Sequence, residues 1–534
     1  MNKSSLKMVV RIFAGIAIIS PHASAVTFSV NSTVDSIDAN PGDGVCETSI
    51  ANECTLRAAV QESNALPGAD TIIISSGSYV LTISGRSEDA SLTGDIDITD
   101  DVSILGIDAS NTIVDANNID RIFDVFAPAN VVIEDISMQN GDIALTGALG
   151  EHGGGIRNQG TLSLNEVIVV GNTAGDFGIG GGIFNVGTLN LLDVSISGNF
   201  ANHTGGVGNF VDGNATLTNV TISNNTSIIG TAGMQNGEGI SGLSPTAILT
   251  NVTISGNVGG GCTGCGGGFG NEDSATLTNV TITENTGFAG AGIFIGYAGP
   301  DPQPSTQLKN TIVANNIGRN CSSTFTPILS LGHNLSSDDT CNLTEPSDLI
   351  NTDPLFGPLQ DNGGFTQTHA LLAGSPAIDN GSIDCPPPLT DQRGEPRAVD
   401  GNNDGFVACD IGSYEVQPPA TIIVTIDILP KSEVNTINLN NRGNIKVAIL
   451  STSEFLAYNE VNTDSVTFGP AGAYATRYKM KDVNRDGLLD ILFYFKIKET
   501  SIICGDTAAT LTGETFDGQA IEGSDSIVTK GCGQ

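Results

Sequence analysis

Ala215-Thr-Leu-Thr-Asn-Val-Thr-Ile-Ser-Asn-Asn225 is a stretch that returns, in close copies, throughout the middle of this 534-residue chain. Each copy ends at an asparagine, and successive terminal asparagines lie 27, 26, 32, 28 and 31 residues apart. A period of this length is typical of solenoid proteins, in which each repeat forms one coil. The terminal asparagines are Asn172, Asn199, Asn225, Asn257, Asn285 and Asn316.

The alternation inside each copy favours β strands. Val220 and Ile222 alternate with hydroxyl residues, which is the period of two that a strand requires, and both are β-branched. Leu217 is out of phase with Val220, so we predict that the chain bends between Asn219 and Val220. One coil therefore contains more than one short strand.

Glycine runs separate the copies, as in Gly153-Gly-Gly-Ile-Arg-Asn158 and Gly180-Gly-Gly-Ile-Phe-Asn185. Glycine permits tight corners, and the apolar residue that follows provides an inward anchor. Stacked coils place equivalent residues about 4.8 Å apart, so the repeated asparagines are expected to form hydrogen-bonded ladders. The sequence predicts a parallel β-helix with an aliphatic interior.

The first residues have the pattern of an export signal. Three basic residues precede an apolar run from Ile12 to Ile19, and Ala23-Ser-Ala25 has the small-x-small pattern of a cleavage site. We predict a signal peptide over residues 1–25. A membrane anchor is the alternative, but the run is too short to span a bilayer, and no transmembrane span is expected in the mature chain. The protein is thus predicted to be exported, to the cell surface or beyond.

The cysteines and the charge agree with export. All ten cysteines follow the predicted signal in close sequential pairs, which indicates local disulfides in an oxidising compartment. A redox or zinc role for Cys262-Thr-Gly-Cys265 is the alternative; it is disfavoured because no second such pair completes a zinc site. The predicted pairs are Cys46 with Cys54, Cys262 with Cys265, Cys321 with Cys341, Cys385 with Cys409, and Cys504 with Cys532.

The formal net charge is −37, which opposes binding to nucleic acid and to anionic membranes. It also opposes direct contact with acidic polysaccharides, which would need bridging divalent cations. The simplest interpretation of the charge is solubility in an extracellular setting.

Residues 26–66 are predicted to cap the solenoid. The segment Cys54–Asn64 indicates an amphipathic helix with Thr55 as N-cap, whose apolar face would cover the first coil. Asn40-Pro-Gly-Asp-Gly-Val-Cys46 followed by Cys54-Thr-Leu-Arg-Ala-Ala-Val60 resembles the N-terminal motif of the CSLREA-domain family of bacterial exported β-helix proteins. Ala58 stands where that motif has Glu.

Two further resemblances cover the middle of the chain. The repeats of residues 67–350 resemble pectin-lyase-like β-helices, which implies a right-handed coil, and their glycine and asparagine pattern is similar to that of chlamydial polymorphic outer-membrane proteins. Residues 351–416 resemble the choice-of-anchor Q region, through Asp391-Gln-Arg-Gly394 and Cys409-Asp-Ile-Gly-Ser-Tyr-Glu415 among others. That resemblance implies a surface or extracellular location.

A short linker, Gln417-Pro-Pro419, precedes the last region. Residues 420–534 contain alternating segments separated by turn residues, at Ile422–Ile428, Ile445–Leu450, Ser465–Phe468 and Ile491–Ile497, which predict a β-sandwich. This region resembles a C-terminal module of exported bacterial proteins, which implies an accessory or attachment role.

Two acidic turns are candidate sites for structural calcium. In each, oxygen-bearing side chains alternate around a glycine, as a hard cation requires, although the glutamate that closes an EF-hand is missing from the stronger candidate. A plain acidic turn is the alternative. The stronger candidate comprises Asp482, Asn484, Asp486 and Asp490, and the weaker comprises Asp400, Asn402, Asp404 and Asp410.

One column of the repeat is a candidate catalytic site. Asp135, Glu166 and Asp193 occupy the position just before the inward valine on successive coils, where later coils have asparagine. Stacked carboxylates suit a glycosidase pair or a calcium site, and a lyase acting on uronates would also need a base, with Arg157 and His152 as the nearby candidates. The favoured interpretation is an acidic stretch of the asparagine turn ladder.

The histidines lack metal or triad spacing and are expected at turns or on the surface. They are His152, His203, His333 and His369.

Together these patterns predict an all-β protein: a right-handed parallel β-helix with an N-terminal helical cap and a C-terminal β-sandwich. The predicted function is a non-catalytic binding, adhesion or structural role, with extracellular polysaccharide or a surface protein as partner. A polysaccharide lyase or hydrolase is the alternative, because fold does not imply function. Aromatic residues make up 5% of the chain and tryptophan is absent, which weakens an aromatic sugar platform.

Overall fold

The computed structural model describes residues 25–86, 88–143, 152–175, 178–237, 244–261, 265–296, 304–324 and 326–532. Residues 1–24 of the predicted signal peptide lie outside this set. The chain divides into two compact units, Met1–Gln417 and Pro418–Gln534. No helix in the described ranges is long and apolar enough to cross a membrane.

The first unit is a parallel β-solenoid, as predicted. Strand Asn214–Ser223 pairs in parallel with Thr188–Ser197 on one side and with Thr246–Ser255 on the other, so repeat positions stack in register. These strands belong to a sheet that we call the long sheet. Its strands are Thr27–Val30, Asp70–Ile74, Gly77–Val80, Val102–Leu105, Thr112–Asp115, Asn130–Glu134, Ser137–Gln139, Thr161–Val170, Thr188–Ser197, Asn214–Ser223, Thr246–Ser255, Ser274–Thr283, Ser305–Lys309, Ile312–Ala314, Leu329–Ser330, Leu335–Ser336 and Leu349–Ile350.

A second parallel sheet, the short sheet, takes one three-residue strand from each coil just after the glycine corner. A third small sheet joins Thr173–Ala174, Phe200–Ala201 and Thr226–Ser227. The strands of the short sheet are Ile96–Ile98, Phe123–Val125, Ile156–Asn158, Ile183–Asn185, Val207–Asn209, Met234–Asn236, Phe269–Asn271, Ile293–Ile295 and Cys321–Ser323.

The predicted bend lies at Asn219, inside the ten-residue strand. Its φ is 56°, in the left-handed region that asparagine and aspartate tolerate best among non-glycine residues. Because of this bend, Leu217 and Val220 both face the interior, each with 0% exposure. The phase change seen in the sequence is therefore a corner of the coil.

The asparagine ladders are confirmed. Asn225 is 0% exposed, and its Nδ2 donates to Oδ1 of Asn257 at 3.0 Å, while its Oδ1 accepts from Nδ2 of Asn199 at 3.0 Å. A second ladder runs along the end of the short-sheet strands. Its members are Asn158, Asn185, Asn209, Asn236 and Asn271.

The predicted cap helix spans Leu56–Ala65, and the side chain of Thr55 accepts a hydrogen bond from the backbone N–H of Ala58. Leu56 and Val60 are buried in the same apolar core as the first coils. The helix thus covers apolar surface that the first coil would otherwise expose to water.

Residues 351–416 are not a separate body: they belong to the first unit and cover the outer face of several coils. The hairpin Phe356–Gln360 with Thr368–Leu371 begins this cover. Gln392 is 0% exposed, and its amide joins hydroxyls of two adjacent coils, Thr221 at 2.7 Å and Thr253 at 2.7 Å. The contact is largely a buried polar network.

His369 is part of this network, so the expectation of a turn or surface position is wrong for it. It is 1% exposed, with Nδ1 at 2.8 Å from the carbonyl oxygen of Gly357 and Nε2 at 2.8 Å from Oγ of Ser255. A carbonyl only accepts, so Nδ1 carries the proton and Nε2 accepts from the serine hydroxyl. Burial lowers the pKa of His369, opposed by the hydrogen bond to Gly357 and by Glu284.

We predict that acid weakens this cover. Below about pH 6.5 the histidine is protonated in the unfolded chain but stays neutral when buried, so the folded state binds fewer protons and loses stability as pH falls. Hydrogen exchange of residues 356–371, measured from pH 7.5 to 5, should become faster relative to strand Thr188–Ser197. Replacement of His369 by Gln should flatten this pH dependence; an unchanged slope in the variant would contradict the assignment.

The second unit contains two mainly antiparallel sheets that share one apolar core, which includes Phe468, Phe493 and Phe495. The predicted strand Ile422–Ile428 is two strands, Ile422–Ile423 and Ile426–Ile428, which join different sheets. The strands of the five-stranded sheet are, in order, Ile422–Ile423, Ala520–Ser526, Ala508–Thr515, Val461–Phe468 and Ala473–Tyr474. Those of the four-stranded sheet are Ile426–Ile428, Asn444–Ile449, Asp490–Lys496 and Arg477–Lys481. Outside these sheets, Thr436–Asn438 pairs with Val528–Lys530, and short helices span Ala457–Glu460 and Ile497–Glu499.

Four of the five predicted disulfides are confirmed. Cys262 of the remaining predicted pair lies outside the described residues. The four bonds are Cys46–Cys54, Cys321–Cys341, Cys385–Cys409 and Cys504–Cys532.

Candidate functional site

The uncovered surface of the long sheet carries mainly hydroxyl and amide side chains, interrupted by the exposed Leu192 and Ile248. These are the outward residues of the strand halves that precede the bend, and we call this surface the ladder face. Register places Ser163, Asn190, Thr216, Ile248 and Thr276 in one row. Neighbours in a row lie one strand spacing apart, about 4.8 Å. Two flanking rows are Thr161, Thr188, Asn214, Thr246, Ser274 and Asn165, Leu192, Thr218, Thr250, Thr278.

A shallow groove of about 380 Å³ lies on the ladder face. Asn190 and Thr216 line it and are exposed, and Glu134 lies at one end. Two of its polar side chains are joined by a long hydrogen bond, in which Nδ2 of Asn190 donates to Oγ of Ser163 at 3.4 Å. The groove therefore presents polar side chains together with the apolar side chains of Val132 and Leu192, along the direction in which the coils stack.

The candidate carboxylates lie at the bend of the coil, beside this face. Asp135, Glu166 and Asp193 have φ values of 60°, 51° and 52°, so they occupy the same left-handed corner as Asn219. Burial and the carboxylates of Asp135 and Asp193 raise the pKa of Glu166. Burial also raises the pKa of Asp193, opposed by a hydrogen bond with Asn219. The column is thus a set of interacting carboxyls.

The two basic candidates are not brought to that column. Arg157 lies on the short sheet, where its guanidinium forms two hydrogen bonds with the carboxylate of Asp124. Nδ1 of His152 accepts from the backbone N–H of Ile179 at 3.3 Å. Neither residue is placed to remove a proton from a ligand in the groove.

The weaker metal candidate is rearranged in the structure. Asp400 and Asp404 converge with Asp379, with one carboxylate oxygen of each within 4.8 Å of the others. Asp410 has a different role: it is 1% exposed, and its oxygens accept the backbone N–H groups of Asp379 and Val416. Asp379 thus takes the position that the sequence suggested for Asp410, because both carboxylate oxygens of Asp410 accept backbone hydrogen bonds within the loop.

The stronger metal candidate forms a tight acidic turn. Asp482 accepts hydrogen bonds from the backbone N–H groups of Arg485 and Gly487, and Asn484 Oδ1 accepts from the N–H of Asp486. Asp490 is 0% exposed, and its two oxygens accept from the N–H groups of Ser451 and Val483. The carboxylates here point toward backbone donors, and they do not form a converging group of three among the described residues.

A third acidic cluster was missed by the sequence reasoning. Asp97 and Asp124 face outward from adjacent strands of the short sheet, paired in register, and Asp95 lies beside them. All three are at most 4% exposed. A signal was present: Ile96-Asp-Ile98 and Phe123-Asp-Val125 place aspartates between apolar β residues, and these aspartates are 27 residues apart, which is one coil.

No protein-family model matches the chain, and no curated protein matches it. Among solved structures, the chain is similar to the crystal structure of pectate lyase Pel9A, with a TM-score of 0.38 and 12% sequence identity. The match covers 74% of this chain and 98% of the pectate lyase chain. The resemblances to the CSLREA-domain and choice-of-anchor Q families stay predictions. The parallel β-solenoid is established by the strand pairings described above.

Proposed function

We propose that this protein is an exported, non-catalytic binding protein whose ladder face holds an extended, uncharged polysaccharide. The observation that carries the proposal is the set of three rows that continue in register over five coils, with a hydroxyl or amide side chain at every position except Ile248 and Leu192. A periodic ligand can repeat the same contacts from coil to coil, so that weak individual hydrogen bonds add up along its length.

The charges around the face favour a neutral ligand. Glu134 lies at one end of the groove, and the carboxyl column of Asp135, Glu166 and Asp193 follows its edge. An anionic chain would meet these carboxylates and a strongly negative protein. Hydroxyl-rich chains carry no such penalty, and the serine, threonine and asparagine side chains both donate and accept.

The test is a binding and turnover assay on the purified protein. Neutral glucans, xylans and mannans are compared with pectate and alginate, with and without calcium, by co-sedimentation, reducing ends and unsaturated-uronate absorbance. Thr216→Glu places a charge in the groove and should weaken binding at least about tenfold, since an unpaired charge must then be desolvated. The matched control is Val258→Glu at an exposed position off the face, which should bind normally. Equal binding by both variants would place the ligand elsewhere.

A polysaccharide lyase or hydrolase is the second candidate, and the observation in its favour is the raised pKa of Glu166 and Asp193 within one column. A carboxyl with a raised pKa can act as a general acid. Asp193→Asn tests this, because asparagine accepts the left-handed backbone that alanine would not. Turnover by the unmodified protein that this variant abolishes would replace the binding proposal with catalysis.

We also propose that the acidic turns hold structural calcium. Asp379, Asp400 and Asp404 offer converging oxygens, and Asn402 lies in the same turn. The second proposed set, in the other unit, is Asp482, Asn484 and Asp486, while Asp490 holds that turn in place through its two backbone hydrogen bonds. Calcium prefers such oxygen ligands. Export and a cell-surface or extracellular location belong to the same proposal, supported by four disulfides.

A further inference from the structure

The buried aspartates of the short sheet lie in a place where carboxylates are costly. Asp95, Asp97 and Asp124 are 4%, 1% and 2% exposed, and one oxygen of each lies within 4.8 Å of the others. Like charges at this separation, removed from water, repel strongly unless something neutralises them.

The guanidinium groups nearby neutralise only part of this charge. Arg121 contacts Asp95, with Nε and Oδ2 2.5 Å apart, and Arg157 pairs with Asp124. In the described part of the chain, no guanidinium forms an ion pair with Asp97, and the acidic residues Asp124, Glu88 and Asp89 are close enough to repel its charge. The guanidinium of Arg86 donates to the carbonyl oxygens of Ile119 and Asp142 instead. Among the described residues, two guanidinium groups thus contact the three carboxylates.

One oxygen in the cluster lacks a hydrogen bond. Oδ2 of Asp97 accepts from the backbone N–H of Ser91 at 2.7 Å, but Oδ1 has no partner although it is buried. A buried carboxylate oxygen without a donor is a defect that folded proteins avoid. This oxygen is therefore open to a positively charged ligand.

We propose that Asp95, Asp97 and Asp124 bind one divalent cation, with calcium as the ion that these ligands favour. Hard carboxylate oxygens on adjacent strands supply one face of the coordination sphere, and waters complete it. The ion offsets the repulsion between the three carboxylates, and it contacts the oxygen of Asp97 that accepts no hydrogen bond.

The ion would fasten the first coil to the cap. Residues 91–95 cover the cluster, and their carbonyl oxygens accept from the guanidinium of Arg57 on the cap helix: Ser91 at 3.2 Å, Gly94 at 2.7 Å and Asp95 at 2.9 Å. The same Arg57 pairs with Asp35. A cation held by Asp95 and Asp97 therefore stabilises the segment that joins cap and solenoid, at the end where a solenoid otherwise frays.

Hydrogen exchange on the whole protein, stripped with chelator and then supplied with calcium, tests this proposal. Calcium should slow exchange of residues 91–98 and 122–126 at least about tenfold, because the bound ion stabilises only the closed state. Asp97→Asn keeps the size of the side chain and an acceptor for Ser91 but loses the charge, so it should remove the calcium effect on these segments.

Equilibrium dialysis with calcium provides the second readout. Asp97→Asn should bind about one ion fewer per chain than the unmodified protein. Asp404→Asn, a change in the separate Asp379 cluster, is the matched control and should leave the protection of residues 91–98 unchanged. The proposal is overturned if calcium does not change the exchange of residues 91–98 in the unmodified protein, or if Asp97→Asn binds as many ions as the unmodified protein. In either case, shared protons rather than a cation neutralise the three carboxylates.

Discussion

Replacement of Asn225 by alanine is expected to lower the free energy of unfolding by about 3–5 kcal/mol, because the change leaves several buried polar groups unpaired. Oδ1 of Asn225 accepts from both the backbone N–H and Nδ2 of Asn199, and its Nδ2 donates to the carbonyl oxygen of Ile196 and to Asn257. The interior offers no water to replace these bonds, since Asn225 is 0% exposed.

Urea denaturation followed by circular dichroism measures the effect, with the midpoint as the primary quantity because a solenoid need not unfold in one step. Asn214→Ala is the matched control. It is an asparagine of the same coil that is exposed, and its replacement should change stability by no more than about 0.5 kcal/mol. Equal losses in the two variants would show that the ladder adds nothing beyond an ordinary surface asparagine.

Replacement of Arg397 by methionine is expected to cost about 3–5 kcal/mol, because it leaves a buried carboxylate without its counter-charge. The side chains of Arg397 and Glu415 are both 0% exposed, with Nη1 and Oε2 3.0 Å apart. Nη2 of Arg397 also donates to Oδ1 of Asn251 on a coil and to the carbonyl oxygen of Gly412. The pair therefore ties residues 351–416 to the solenoid.

The loss should be local. Proteolysis and hydrogen exchange should increase within residues 351–416, while strand Thr188–Ser197 stays protected. Adding Glu415→Gln to the variant removes the orphaned charge and should restore part of the stability. The control is Arg442→Met at an exposed arginine of the second unit, expected to be near neutral. A double variant no more stable than Arg397→Met would contradict the charge-pair explanation.

The solenoid was predictable because its determinants repeat locally. The alternation around Val220 and Ile222, the glycine corners and the asparagine at the end of each copy all act within one coil and its neighbours. The same reasoning explains the bend at Asn219, where a phase change in the pattern corresponds to a left-handed backbone. The cap helix was predictable for a similar reason, since Thr55 and the apolar stripe are local signals.

The candidate sites were less predictable because their members come from separate parts of the chain. Asp379 joins Asp400 and Asp404 across a loop, and Asp410, which shared their local motif, is used for backbone hydrogen bonds instead. The cluster around Asp97 depends on the stacking of two coils and on the segment that covers them. The sequence shows that Asp97 and Asp124 are separated by one coil, but it does not show that both side chains are buried.

The sequence by itself determined the parallel β-solenoid, its period and its hydrogen-bonded ladders, because hydrophobic alternation and left-handed corners are properties of each repeat. Only the tertiary structure decided which hydroxyls face solvent. Thr216 and Thr221 have the same outward phase within their strand halves, yet Thr216 is exposed, whereas Thr221 is 1% exposed beneath residues 351–416. That difference arises from a segment more than a hundred residues away in the chain, and no local pattern of residues contains it.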